Sequence, residues 1–216
     1  MVNGIRLKVC GLRTAADAAR AVGIGADFLG FILHPKSPRF IELADFTALA
    51  GALPKEAARV AVMVEPTAEQ VSAAKAAGFD YFQIHFRSEA PLAVVRAWSD
   101  AVTPEKLWLA PKLPPGVAFN NDWLALAGSF LIDTFHAEGF GGSGLTGDWG
   151  AFARLQAAHP EKTWILAGGL NPENVGAAIA QSGARFVDVN SGVESAPGVK
   201  SAERIAALGR ALAGQS

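Results

Sequence analysis

Ile5-Arg6-Leu7-Lys8-Val9-Cys10-Gly11-Leu12-Arg13 is the first β-like run of the chain and holds its one cysteine. Alternation along an extended strand puts Ile5, Leu7 and Val9 on one face and Arg6, Lys8 and Cys10 on the other. The turn after it decides between two folds that both alternate strand and helix. An open doubly wound sheet carries a glycine-rich phosphate fingerprint after its first strand. Cys10-Gly11-Leu12-Arg13 lacks that fingerprint. The sequence therefore favours the closed (β/α)8 TIM barrel, an α/β fold, with the open sheet as the alternative.

The rest of the chain repeats the first unit. Short β-rich runs fall at 5–9, 27–33, 59–64, 81–85, 107–112, 129–133, 163–167 and 186–189. Stretches with apolar residues three and four apart fill the gaps at 14–25, 43–53, 68–77, 90–99, 149–158, 172–182 and 202–212. The helical pattern is weakest between residues 115 and 127. Asn171-Pro172-Glu173 supplies a capping side chain before a proline at the first helical position. Eight strand–helix units in 216 residues fit one barrel, and no linker or low-complexity segment divides it. Residues 1–216 are expected to form a single domain.

Composition narrows the function. Half the residues are hydrophobic, which excludes a disordered tail, and the net charge of −1 with interspersed signs argues against nucleic acid as a partner. A single cysteine forms no internal disulfide. With no secretory leader pattern and no membrane-length apolar run, the expectation is a soluble cytoplasmic protein without a membrane partner.

The barrel reading gives the strand ends a chemical meaning, because such enzymes work at the C-terminal ends of their strands. Lys8 and Cys10, Gln83 and His85, Leu131 and Asp133, and Asp188 and Asn190 then face the lumen. Lumens of this size are usually filled by Val, Ile and Leu, so polar residues at these ends point to a site. Some of them have structural explanations. Lys8 is expected to neutralise Asp188 where the first and last strands meet, and Cys10 alone fits a small buried hydrophobe. No His or Cys has a ligand-like neighbour, which argues against a metal. Gly168-Gly169 after the seventh strand and Ser191-Gly192 after the eighth occupy the loops where this fold commonly holds a phosphate on backbone N–H groups.

Taken together, the motifs Lys8-Val9-Cys10-Gly11, Lys36-Ser37-Pro38-Arg39, Gln83-Ile84-His85, Leu131-Ile132-Asp133-Thr134, Gly141-Gly142-Ser143-Gly144, Gly168-Gly169-Leu170-Asn171-Pro172 and Ser191-Gly192-Val193-Glu194 resemble phosphoribosylanthranilate isomerase of tryptophan biosynthesis, from first strand to last. The resemblance implies an Amadori rearrangement of an aminoaldose phosphate to an aminoketose, with no metal and no organic cofactor. It assigns Cys10 as general base, Asp133 as general acid and Arg39 to the anthranilate carboxylate. It sets His85, Gly142, Gly168, Gly169, Ser191 and Gly192 against the small-molecule phosphosugar substrate, in a monomer or homodimer.

The chain departs from the family pattern at Arg13, Phe86, Pro111, Leu145, Gly147 and Asn190. Phe86 replaces a usual glycine, and alternation directs its ring away from the lumen. Two alternatives are a ProFAR-isomerase-like barrel, which would use two aspartates, and a non-catalytic phosphosugar-binding barrel.

Overall fold

A computed structural model of the chain describes residues 1–114, 116–134 and 148–214. Eight parallel strands close on themselves in chain order: β1 (Arg6–Val9), β2 (Phe28–Ile32), β3 (Ala58–Val64), β4 (Tyr81–Arg87), β5 (Leu107–Lys112), β6 (Ser129–Asp133), β7 (Thr163–Ala167) and β8 (Phe186–Val189). β1 pairs with β8, with Lys8 opposite Asp188, and this pairing closes the ring. The helices are α1 (Ala15–Gly23), α2 (Leu43–Leu49), α3 (Ala68–Ala76), α4 (Leu92–Val102), α5 (Trp149–Ala158), α6 (Val175–Ser182) and α7 (Ala202–Ala213).

Alternation sorts the buried side chains into two layers. Leu7, Val9, Phe130 and Ile132 join the layer between strands and helices, while Cys10, Val60, Val62, Trp108, Leu131, Ile165 and Phe186 fill the lumen. The lumen is closed at its N-terminal end by aromatic rings. Phe28 meets Tyr81, Trp108 and Phe186 with centroids 5.0–5.6 Å apart, and the Arg6 guanidinium caps Phe186 at 4.7 Å. With that end plugged, a ligand enters from the C-terminal mouth.

Several boundaries differ from the sequence pattern, each for a local reason. The stretch 43–53 is α-helical only to Leu49 and finishes as a 3-10 turn, Ala50–Ala52. The weak region after β5 forms a 3-10 helix, Asn121–Leu126, started by Asn120 accepting from the Asp122 N–H. Regular α6 begins at Val175 and not at Pro172. Asn171 does cap, but its Oδ1 accepts from the N–H groups of Glu173 and Asn174 in a turn that precedes the helix. A small antiparallel hairpin, β9 (Glu194–Ala196) and β10 (Val199–Lys200), follows β8 and was not anticipated.

Candidate active site

Cys10 follows β1 and lies at the mouth of the lumen, 3% exposed. Its neighbour Lys8, two residues earlier on the same face, is fully buried and gives both carboxylate oxygens of Asp188 a hydrogen bond of 3.0 Å. This is the neutralising pair expected from the register. Burial alone would lower the Lys8 pKa, but Asp188, with help from the Cys10 thiol, holds it above the ordinary lysine value. Burial pushes the Cys10 thiol up; Lys8 and Lys200 pull it down, and Asp188 adds to the rise. The net direction is upward, so the unliganded site favours the thiol. Lys8 pulls the thiol down, but burial outweighs that pull. Helix α1 begins only at Ala15, beyond its Thr14 cap, and offers the thiol no adjacent N-terminus.

A glycine makes this packing fit. A Cβ on Gly30, in β2, would stand 2.8 Å from Lys8 Cε, 3.0 Å from Cys10 Sγ and 3.1 Å from Cys10 Cα. The sequence shows only a strand glycine there, and a strand glycine signals a close approach without saying of what.

On β4, Gln83 and His85 face the lumen as alternation requires. The Gln83 amide nitrogen donates to His85 Nε2 at 2.7 Å, so the neutral imidazole carries its proton on Nδ1. Burial, with Lys8 and His34 nearby, lowers the His85 pKa to about 4. Gln83 Oε1 is buried and accepts no hydrogen bond from the described residues.

Asp133 ends β6 on the lumen face, level with Ala167 of β7, and its side chain is exposed at the mouth. In the closed ring β6 lies three strands from β1 through β7 and β8, so Asp133 and Cys10 sit on different sides of the mouth. Gly142 lies outside the described residues, as do Leu145 and Gly147.

Gly168 and Gly169 follow β7 with φ of 99° and 63°, left-handed values that need glycine. The carbonyl of Gly169 accepts from Asn174 Nδ2 at 3.0 Å. Ser191 and Gly192 open a 3-10 turn after β8 and pack against Leu170 and Asn171. The two loops are thus in contact, which the sequence did not reveal.

Arg39, in the loop after β2, makes a forked pair with Glu194: Nε to Oε1 at 2.8 Å and Nη2 to Oε2 at 2.7 Å. Lys200 joins them, with Nζ 2.9 Å from Glu194 Oε1. Burial works to raise the Glu194 pKa, but the hydrogen bonds from Arg39 and Lys200 outweigh it and hold the carboxyl below its usual range. Glu194 and Asp188 are both ion-paired carboxylates, so neither is suited to donate a proton.

Phe86 is buried on the outer face of β4. Its ring meets Trp98 of α4 at 5.7 Å and Trp123 of the 3-10 helix at 5.2 Å.

Residues 7–210 match the family described as N-(5'-phosphoribosyl)anthranilate (PRA) isomerase. A protein of that name from Cereibacter sphaeroides is 40% identical over 95% of this chain and 97% of its own length. One from Synechococcus elongatus is 36% identical over 99% and 98%. Among solved structures, phosphoribosyl anthranilate isomerase from Thermus thermophilus superposes with a TM-score of 0.80 and 33% identity, covering 98% of this chain and 100% of that one. Another phosphoribosyl anthranilate isomerase, solved with reduced 1-(o-carboxyphenylamino)-1-deoxyribulose 5-phosphate, gives 0.75 and 30%, covering 97% and 99%.

Proposed function

Because this chain belongs to the N-(5'-phosphoribosyl)anthranilate isomerase family, we propose that Cys10 is the general base and Asp133 the general acid of its reaction. The chain is an isomerase of tryptophan biosynthesis. It converts N-(5'-phosphoribosyl)anthranilate to the 1-deoxyribulose 5-phosphate aminoketose.

In this mechanism Asp133 gives a proton to the ribose ring oxygen. The bond from that oxygen to C1′ breaks, and the anthranilate nitrogen lone pair forms a C1′ iminium. Cys10, as thiolate, takes the proton from C2′. The electrons of that C–H bond form the C1′–C2′ double bond and neutralise the nitrogen. The enol then becomes the ketone as C1′ takes a proton and the C2′ hydroxyl gives one up; these two transfers return Cys10 to thiolate and Asp133 to acid, so no atom is gained or lost. Proton transfers of this kind call for an acid and a base held apart, each near the atom it serves.

What supports the assignment is the state of the other groups at the mouth. Asp188 is bound to Lys8, Glu194 to Arg39 and Lys200, and His85 is neutral. Asp133 stands at the C-terminal end of β6, and Cys10, after β1, lies within the field of Lys8. The cationic iminium adds a further positive charge and favours the thiolate at the step that needs it. Gly168, Gly169, Ser191 and Gly192 hold the phosphate, Arg39 grips the carboxylate, and His85 lines the substrate pocket. A base that must stay a free thiol suits the reducing cytoplasm.

The test is direct. Purified protein given freshly made phosphoribosylanthranilate should consume it, followed by anthranilate fluorescence. Asp133→Asn and Cys10→Ser should each nearly abolish turnover, and a fully active variant of either kind refutes that residue's role.

A further inference from the structure

We infer that Lys200 and Glu194, on the hairpin after β8, are positioning residues that fix which edge of the Arg39 guanidinium meets the substrate carboxylate; the inference rests on the proposed role of Arg39. Glu194 takes up the Nε/Nη2 edge of Arg39. Both N–H bonds of Nη1 and the second N–H of Nη2 are then directed away from Glu194. They present a two-pronged edge suited to a planar carboxylate.

Lys200 determines where Glu194 can sit. Its ammonium is 1% exposed and makes three hydrogen bonds: to Glu194 Oε1 at 2.9 Å, to the Asn190 carbonyl at 2.9 Å and to Asn190 Oδ1 at 3.0 Å. All three of its donors are used, so the ammonium holds one orientation. Asn190, one of the chain's departures from the family pattern, supplies two of the three acceptors.

The backbone reinforces this arrangement. A Cβ on Gly198, at the hairpin turn with φ of 81°, would stand 2.5 Å from the Pro38 carbonyl oxygen. The hairpin therefore presses on the residue before Arg39. On the other side a Cβ on Gly11 would stand 2.9 Å from Arg39 Cδ and 2.6 Å from Asn190 Oδ1. Arg39 is held between these two contacts.

Charge gives Lys200 a second task. Arg39 and Glu194 alone form a neutral pair that competes with an incoming carboxylate. Lys200 shares the Glu194 carboxylate and so leaves more of the Arg39 charge to the incoming carboxylate. Its ammonium is costly to keep: burial lowers the Lys200 pKa despite Glu194. A buried charge serving only to pack the hairpin would be replaced by an apolar side chain without loss.

The experiment measures kcat and KM for phosphoribosylanthranilate, and the inhibition constant of inorganic phosphate, in Lys200→Met, Arg39→Ala and the double variant. The inference predicts that Lys200→Met raises KM about tenfold with kcat within about threefold, since uniform binding is lost. It predicts an unchanged phosphate inhibition constant, which a collapsed mouth would alter. In the Arg39→Ala background Lys200→Met should raise KM no further, because its effect runs through Arg39.

An Arg39→Ala enzyme with wild-type KM overturns the role of Arg39 and the inference with it. A raised KM in Arg39→Ala beside a wild-type KM in Lys200→Met overturns the inference alone, as do fully multiplicative effects in the double variant. If Lys200→Met does not fold, Lys200→Gln, which keeps a polar head but loses the charge and the three-way hydrogen bonding, takes its place with the same expected KM rise and the same dependence on Arg39.

Discussion

Replacing Gly192 with alanine tests whether the two glycine loops act as one rigid phosphate cradle. The new methyl would overlap the Leu170 carbonyl oxygen and stand 2.8 Å from both Cα and Cβ of Asn171. Carbon atoms need about 3.5 Å, so the Asn171 contacts alone require the loops to part by roughly 0.7 Å, and the overlap with the Leu170 oxygen requires more. Neither loop recedes easily. Leu170 is buried, Asn171 caps the turn before α6, and Arg204 Nε holds the Gly192 carbonyl at 2.8 Å. Overpacking of this kind costs about 2–3 kcal/mol, which in a chain of this length lowers Tm by roughly 4–12 °C. The same displacement takes one loop's N–H groups out of reach of the phosphate. Losing one charged hydrogen bond costs about 1.5–3 kcal/mol, or roughly ten- to a hundredfold in affinity. Thermal denaturation and inhibition by inorganic phosphate measure the two effects. Gly23→Ala is the control: its Cβ would meet nothing within 4 Å in α1, and it should gain roughly 0.5–1 kcal/mol with phosphate binding unchanged. A Gly192→Ala protein with wild-type Tm and wild-type phosphate inhibition would refute the cradle.

Three further outcomes follow from the geometry. Phe86→Gly empties a buried site between Trp98 and Trp123 and should cost about 3–5 kcal/mol in a urea titration, while the ratio of kcat/KM between alternative aromatic substrates stays constant; a changed ratio would make Phe86 a specificity residue. His85 titrates near 4 when folded and near 6.5 when unfolded, so the unfolded chain takes the proton first. Stability therefore drains as pH falls from about 6.5 to about 4, by at most about 3 kcal/mol and less for a partly exposed ring. His85→Asn should remove that part of the slope between pH 7 and 4.5, and an identical slope in the variant would contradict it. Asp133→Asn should lose turnover by orders of magnitude yet still bind a reduced product analogue in calorimetry; loss of binding with retained turnover would reverse the roles.

The sequence carried the barrel because strand alternation and helical spacing are local signals. Lys8 and Cys10 inside, Phe130 and Ile132 outside, and Phe86 against the helices all follow from a period of two. The Lys8–Asp188 pair was legible because closing an eight-stranded ring forces β1 onto β8. The cluster around Arg39 was not, since Arg39 and Glu194 lie 155 residues apart and no local pattern joins them. Pro197-Gly198 was a readable turn signal for the hairpin that brings Lys200 back to Glu194. The need for Gly30 could not be read, because it depends on where Lys8 and Cys10 place their side chains. The direction of the Cys10 shift was hidden for a similar reason: burial outweighs the pull of Lys8, and burial depends on how the lumen packs around the thiol.

The central claim, that Cys10 takes the C2′ proton, is tested most directly by kcat of Cys10→Ser with phosphoribosylanthranilate, alongside a melting curve. Serine keeps the size of the side chain but is a far weaker base near neutral pH. The account predicts a wild-type-like melt and a kcat lower by at least about a thousandfold, or about 4 kcal/mol of barrier. A folded Cys10→Ser enzyme that keeps more than about a tenth of wild-type kcat, a loss below about 1.4 kcal/mol, would make Cys10 a packing residue and the mechanism wrong.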